Sequence, residues 1–152
     1  MTATPLRLVI DASAGIQLFI EEEHSQAVTE IFARVEGERP LALHVPDLFF
    51  IECANILLKL ARRGGRPPAE SQADVADLRQ LALTTTSTAD LMEEAFALAE
   101  QTSLTAYDAC YLALAQQLNA ALITVDSDLL ALHPFEDLPV LTPAALLEQS
   151  GA

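Results

Sequence analysis

Residues 6–11 read Leu6-Arg-Leu-Val-Ile-Asp11, a short leucine and β-branched run that stops on a carboxylate. A run of this length and composition has the pattern of a buried strand. A second one, residues 121–125 (ALITV), stops on Asp126. Weaker strand signals lie at residues 41–45, 83–86 and 139–141. Apolar residues at helical spacing fill the intervals at 12–20, 24–35, 46–60, 67 to about 83, 88–101, 105–118, 128–132 and 143–149. Pro46 is read as the first turn of its helix, where proline is tolerated. Gly64-Gly65 ends that helix, and residues 37–40 form a break. Strands alternating with helices predict a three-layer α/β/α sandwich around a central parallel sheet. In such sheets ligands bind beyond the carboxyl ends of the strands, where Asp11 and Asp126 would stand.

The 152 residues fit one domain, 1–152. A 51% hydrophobic fraction with no Trp supplies a core of Leu, Ala, Val and Ile. No apolar run reaches the ~18–20 residues that cross a bilayer. Met1 leads straight into the first strand with no signal-peptide layout, so the chain reads as soluble and cytoplasmic. Cys53 and Cys110 lie in apolar helical runs with no zinc-like spacing and read as reduced core residues. His24, His44 and His133 are scattered, which gives a histidine-based site little support. The net charge of -14 argues against a conventional nucleic-acid binder. Half of the eight basic residues, however, fall in one stretch: Lys59, Arg62, Arg63 and Arg66.

Four carboxylates carry the chemical signal. Asp11 and Asp126 end strand-like runs, and each is also explicable as the N-cap of the helix after it. Asp108 is the one charge in residues 104–115 (LTAYDACYLALA), on a stripe with Leu112 and Ala115. A charge there is costly unless paired or bound to a cation. Thr105 and Asp108 also satisfy the T-x-x-D capping box, which would account for the pair by itself. Glu52 interrupts residues 48–58 (LFFIECANILL) on a stripe with Leu48, Asn55, Lys59 and Arg62. That stripe is either the polar side of an amphipathic helix or a carboxylate leading into cations, as a phosphodiester would require. Acidic groups converging at one sheet edge repel each other unless a cation holds them together. Oxygen-only donors select Mg²⁺ or Mn²⁺ over zinc.

Four segments in order, residues 9–13 (VIDAS) with Glu21-Glu-Glu23, Pro46-Asp-Leu48 leading to Glu52 and Asn55, residues 104–115, and residues 122–129 (LITVDSDL), resemble the PIN-domain family and within it the VapC-type toxins. The resemblance implies a Mg²⁺- or Mn²⁺-dependent endoribonuclease acting on structured RNA such as tRNA or rRNA. It implies Asp11, Glu52, Asp108 and Asp126 as the acidic quartet, with Asp128 a fifth carboxylate. Ser13 and Thr105 match its hydroxyl positions, and Asn55 and Thr124 would support the carboxylates. Lys59, Arg62, Arg63 and Arg66 are the expected contacts to the RNA backbone, a solvated helix end being the alternative for each. A homodimer and a cognate antitoxin that blocks the metal site also follow from the resemblance.

The competing expectation is a catalytically weak PIN-like protein-interaction module, with the fold but without RNA cleavage. A phosphoacceptor receiver domain would need a lysine on a late strand, and the one lysine, Lys59, falls in a helix. A haloacid-dehalogenase-like phosphatase would need D-x-D after the first strand, where this chain has Asp11-Ala12-Ser13.

Overall fold

The computed structural model describes residues 5–37 and 40–149. The ends of the expected 1–152 unit, and residues 38–39 of the expected break, lie outside the described residues. Along the chain run β1 (Leu6–Ile10), α1 (Ala12–Gly15), α2 (Ser25–Ala33), β2 (Leu41–Pro46), α3 (Leu48–Arg62) and α4 (Pro68–Leu78). Then follow β3 (Leu83–Thr86), α5 (Thr88–Thr102), α6 (Ala106–Leu118), β4 (Ala121–Ile123), α7 (Ser127–Leu130), β5 (Val140–Leu141) and α8 (Pro143–Gln149).

The strands form one sheet in the order β3-β2-β1-β4-β5, and every pairing is parallel. Crossovers between parallel strands are right-handed almost without exception. The steps β1 to β2 to β3 run toward one edge, which sets their helices on one face. The step from β3 back to β4 runs the other way and sets α5 and α6 on the opposite face. The expected three-layer sandwich is therefore the observed one. Strand order reverses between β1 and β4, so a cleft opens beyond their carboxyl ends.

Burial follows the patterning. Leu8, Val9 and Ile10 of β1 are buried, as are all seven residues of α6 from Ala109 to Ala115. A helix apolar on every side belongs inside, and α6 lies against β1, β2 and β4. Both cysteines are buried and free, as expected.

Several boundaries differ from the expected ones for local reasons. Pro46 ends β2 rather than opening α3. It pairs with Thr86 of β3, past the point where β2's pairing with β1 stops at His44. Asp47 does not cap α3 with its side chain; its Oδ1 accepts the Thr88 amide at 3.0 Å and so satisfies the start of α5. The helix expected over 12–20 is α1 followed by a 3₁₀ turn at Ile16–Leu18. Within that turn the buried Gln17 accepts the His24 amide at 2.8 Å, holding the approach to α2. β4 stops at Ile123 rather than Val125, because the Val125 amide donates to Ser13 Oγ at 3.2 Å instead of to a strand. α4 ends at Leu78 rather than near 83, and a turn closed by the Gln80 amide on the Asp77 carbonyl at 2.9 Å leads into β3.

Gly15 lets α1 approach α3. A Cβ on it would lie 2.6 Å from the ring of Phe49, which is fully buried and edge-on to Phe50. Overpacking of this kind costs typically about 1–3 kcal/mol. Gly15→Ala should therefore lower the urea-unfolding free energy by about 1–3 kcal/mol, and an unchanged midpoint would show that the α1–α3 contact is loose.

Candidate active site

Asp11 is the first residue past β1 and is only 4% exposed. It occupies the N-cap position of α1, but its carboxylate makes no capping bond to the helix. Its Oδ2 instead accepts two hydroxyls, from Ser13 at 2.6 Å and from Thr124 at 2.7 Å. Thr124 is fully buried just past β4, and its Oγ1 also accepts the Asp126 amide at 3.0 Å. Ser13 and Thr124 thus join the ends of β1 and β4 around one carboxylate oxygen, reinforced by the Asp11 amide on the Ile123 carbonyl at 2.9 Å.

Asp126 does act as a cap: its Oδ1 accepts the Leu129 amide of α7 at 3.0 Å. Asp108 sits in the first turn of α6, whose N-cap Thr105 accepts the Asp108 amide at 3.1 Å. Glu52 sits in the first half of α3, and its Oε1 accepts the phenol of Tyr111 at 2.6 Å. The sequence reading assigned no role to Tyr111. The signal was available, because a tyrosine inside a fully apolar helix must find a partner for its hydroxyl.

Electrostatics join these groups across four separate chain segments. Burial, above all, and the charges of Asp11 and Asp108 push the Glu52 carboxyl up to about 7, against the Tyr111 hydroxyl that lowers it. Burial and then Asp11, Asp126 and Asp128 push Asp108 up to about 6, with Thr105 opposing. Burial chiefly, and also Asp126, raises Asp11, while its hydroxyl and amide donors lower it. Each carboxylate of the expected quartet therefore either feels or imposes the charge of others, and Asp128 stands at the margin. The ion pairs of Arg34 with Glu30 and of Arg66 with Glu70 and Asp74 lie elsewhere, at the end of α2 and against α4.

The donor chemistry fits a hard divalent cation, since the groups are oxygen donors that repel each other. Among the described residues no three His, Cys, Asp or Glu side chains stand close enough to ligate one ion as they are placed. Mg²⁺ does not require three, because it keeps several waters and is usually bound through one or two carboxylates.

The remaining expected residues divide. Asn55 is exposed one turn from Glu52, and both line a groove of about 490 Å³ with Ile51, Ala54, Leu58 and Tyr107. Lys59, Arg62 and Arg63 are exposed at the far end of α3. At 1.5 Å per residue Lys59 and Arg62 lie about 10 and 15 Å along the axis from Glu52. Arg66 is committed elsewhere, paired with Asp74 and, at 3.7 Å, with Glu70. No helix among the described residues is long and apolar enough to cross a membrane.

Known proteins resemble this chain in sequence and in fold. The PIN domain family profile matches residues 8–133. The chain is 36% identical over 131 residues to the ribonuclease VapC3 of Pyrobaculum aerophilum, covering 85% of this chain and 96% of that one. The crystal structure of PAE2754 from Pyrobaculum aerophilum superposes with a TM-score of 0.70 at 24% identity, covering 98% of this chain and 92% of the other. That of Mycobacterium tuberculosis VapC20, a sarcin-ricin loop cleaving toxin, superposes with 0.60 at 19% identity, covering 80% and 91%.

Because Glu52 and Asp108 are raised in the folded state, the folded protein binds more protons than the unfolded one between their unfolded and folded values. Their contribution to stability is present below the unfolded values and is lost as pH rises through the folded ones. Without divalent metal, the melting temperature should fall as pH rises from about 4 to about 7. Mn²⁺ should restore it at the upper end. Asp108→Asn should raise the metal-free melting temperature at pH 7.5 by a few degrees, since about 1 kcal/mol is worth about 2–4 °C at this size. A metal-free melting temperature that rises across that window would contradict the crowding of these groups.

Proposed function

The chain belongs to the PIN-domain family, within its VapC-type group, and on that premise we propose that it is a Mg²⁺- or Mn²⁺-dependent endoribonuclease, the toxin of a toxin–antitoxin pair. The observation that carries the reading is the placement of Asp11 and Asp126 just past the adjacent strands β1 and β4 at the switch point of the sheet, with Glu52 and Asp108 near enough to feel the charge of Asp11. Those four side chains would hold the cation, with Asp128 beside them. A divalent ion there supplies Lewis-acid stabilisation of a phosphoryl oxygen and lowers the pKa of a bound water. Water adds to phosphorus in line, the bond to the 3′ oxygen breaks, and the products carry 5′-phosphate and 3′-hydroxyl ends.

The chain's own residues set the geometry. Ser13 and Thr124 fix Asp11 at the junction of β1 and β4. Thr105 orders the first turn of α6 that presents Asp108. Lys59, Arg62 and Arg63 would hold the RNA backbone away from the cut, and the substrate would be a structured RNA such as tRNA or rRNA. Arg66 is the weakest of the basic candidates, because its charge is already balanced by α4. Large apolar side chains left exposed at Ile51, Leu58, Met92, Phe96 and Tyr107 support a homodimer, and a cognate antitoxin would close the acidic cleft.

Asp11→Asn and Asp108→Asn should each reduce Mg²⁺- or Mn²⁺-dependent cleavage of total tRNA and rRNA to background while the circular dichroism spectrum is retained. Undiminished cleavage by either purified variant would sink the assignment. A folded wild-type protein that cuts no RNA with either metal would favour the interaction-module reading instead. In the Asp11→Asn background, Arg62→Ala should weaken RNA binding at every sequence tested and reduce the slope of log affinity against log salt by about 1.

A further inference from the structure

Tyr111 is the largest of the fully buried side chains. It lies on α6 three residues after Asp108, so both project from neighbouring positions of the same helix. Its phenol crosses to α3 and donates to Glu52 Oε1 at 2.6 Å, joining residues 59 positions apart in the sequence. The two helices that carry Glu52 and Asp108 share little backbone contact. This short bond therefore ties Glu52 to the helix that carries Asp108.

We propose that Tyr111 is a positioning residue of the metal site, holding Glu52 by Oε1 and leaving Oε2 as its metal-directed oxygen. The proposal rests on the metal-dependent part of the reading above and not on which RNA is cut. A glutamate has three side-chain torsions, and fixing one of its oxygens removes most of that freedom before a cation arrives. Partners that orient a ligand in this way typically contribute about 10–100-fold to metal affinity. The arrangement also satisfies the tyrosine, whose buried hydroxyl would otherwise lack a partner. One bond thus serves the core of α6 and the geometry of the site together.

The test is Tyr111→Phe, which keeps the ring and removes the donor. Mn²⁺ binding is measured by calorimetry and by electron paramagnetic resonance, without RNA, in wild type, Tyr111→Phe, Glu52→Gln and the double variant. Tyr111→Phe should stay folded by circular dichroism and bind Mn²⁺ about 10–100-fold more weakly. In the Glu52→Gln background the same change should have no further effect, because the tyrosine acts through that glutamate. Wild-type Mn²⁺ affinity in Tyr111→Phe would overturn the proposal. So would an equal loss in both backgrounds, which marks a general packing role. If the affinities follow the expected pattern but wild type cuts no RNA, the ribonuclease reading falls and the role of Tyr111 stands. If wild type binds no Mn²⁺, both fall.

Discussion

A nearly buried carboxylate at the carboxyl end of the central strand is the constraint around which the site is organised. Asp11 could not hold a charge there without compensation, because burial disfavours the ionised form. The compensation comes from Ser13 and Thr124, which reach one oxygen from two sides. Those two residues belong to the segments leaving β1 and β4, so satisfying the charge also fixes how the two strands end. The same two hydroxyls also accept the Val125 and Asp126 amides, which draws the chain after Ile123 away from the sheet and holds the backbone of Asp126 beside Thr124. Chemistry and local backbone geometry are thus determined together.

Much of this was legible in the sequence. The alternation of apolar runs with helical periodicity implied the parallel sheet, and the strand ends pointed to Asp11 and Asp126. The capping box read at Thr105 and Asp108 corresponds to a real cap that coexists with electrostatic crowding, so the two explanations of Asp108 were never exclusive. For Asp11 the choice between helix cap and site residue was open until its hydroxyl partners were seen. What stayed hidden depended on distant partners. Arg66 looked like one of four equivalent cations, but its pairing with Asp74 requires knowing how α4 folds back. Tyr111 looked like core, and its bond to Glu52 spans a distance in sequence that no local pattern reports. Pro46 was misplaced because a proline at a strand end and one at a helix start share the same local preferences.

The acidity of the chain acquires a more specific meaning in the fold. Part of the net charge of -14 is concentrated where a hard cation would be bound, and a bound divalent ion would offset part of the negative field at that spot. Lys59, Arg62 and Arg63 are exposed at the far end of the helix that carries Glu52, while Arg7 and Arg79 are exposed elsewhere on the molecule. A polyanion approaching the acidic cleft would meet repulsion there and attraction at the basic end of α3.

Ser13 shows how narrow the tolerance at such a junction is. Its single oxygen donates to Asp11 Oδ2 and, at the same time, accepts the Val125 amide. A methyl group in its place would leave both an under-solvated acid and an orphaned amide. An amide side chain could both donate and accept, but through two different atoms and at a longer reach. Threonine alone among the other common side chains offers the same atom at the same distance. For anyone redesigning this protein, position 13 is therefore close to a two-letter alphabet, although the residue is only partly buried.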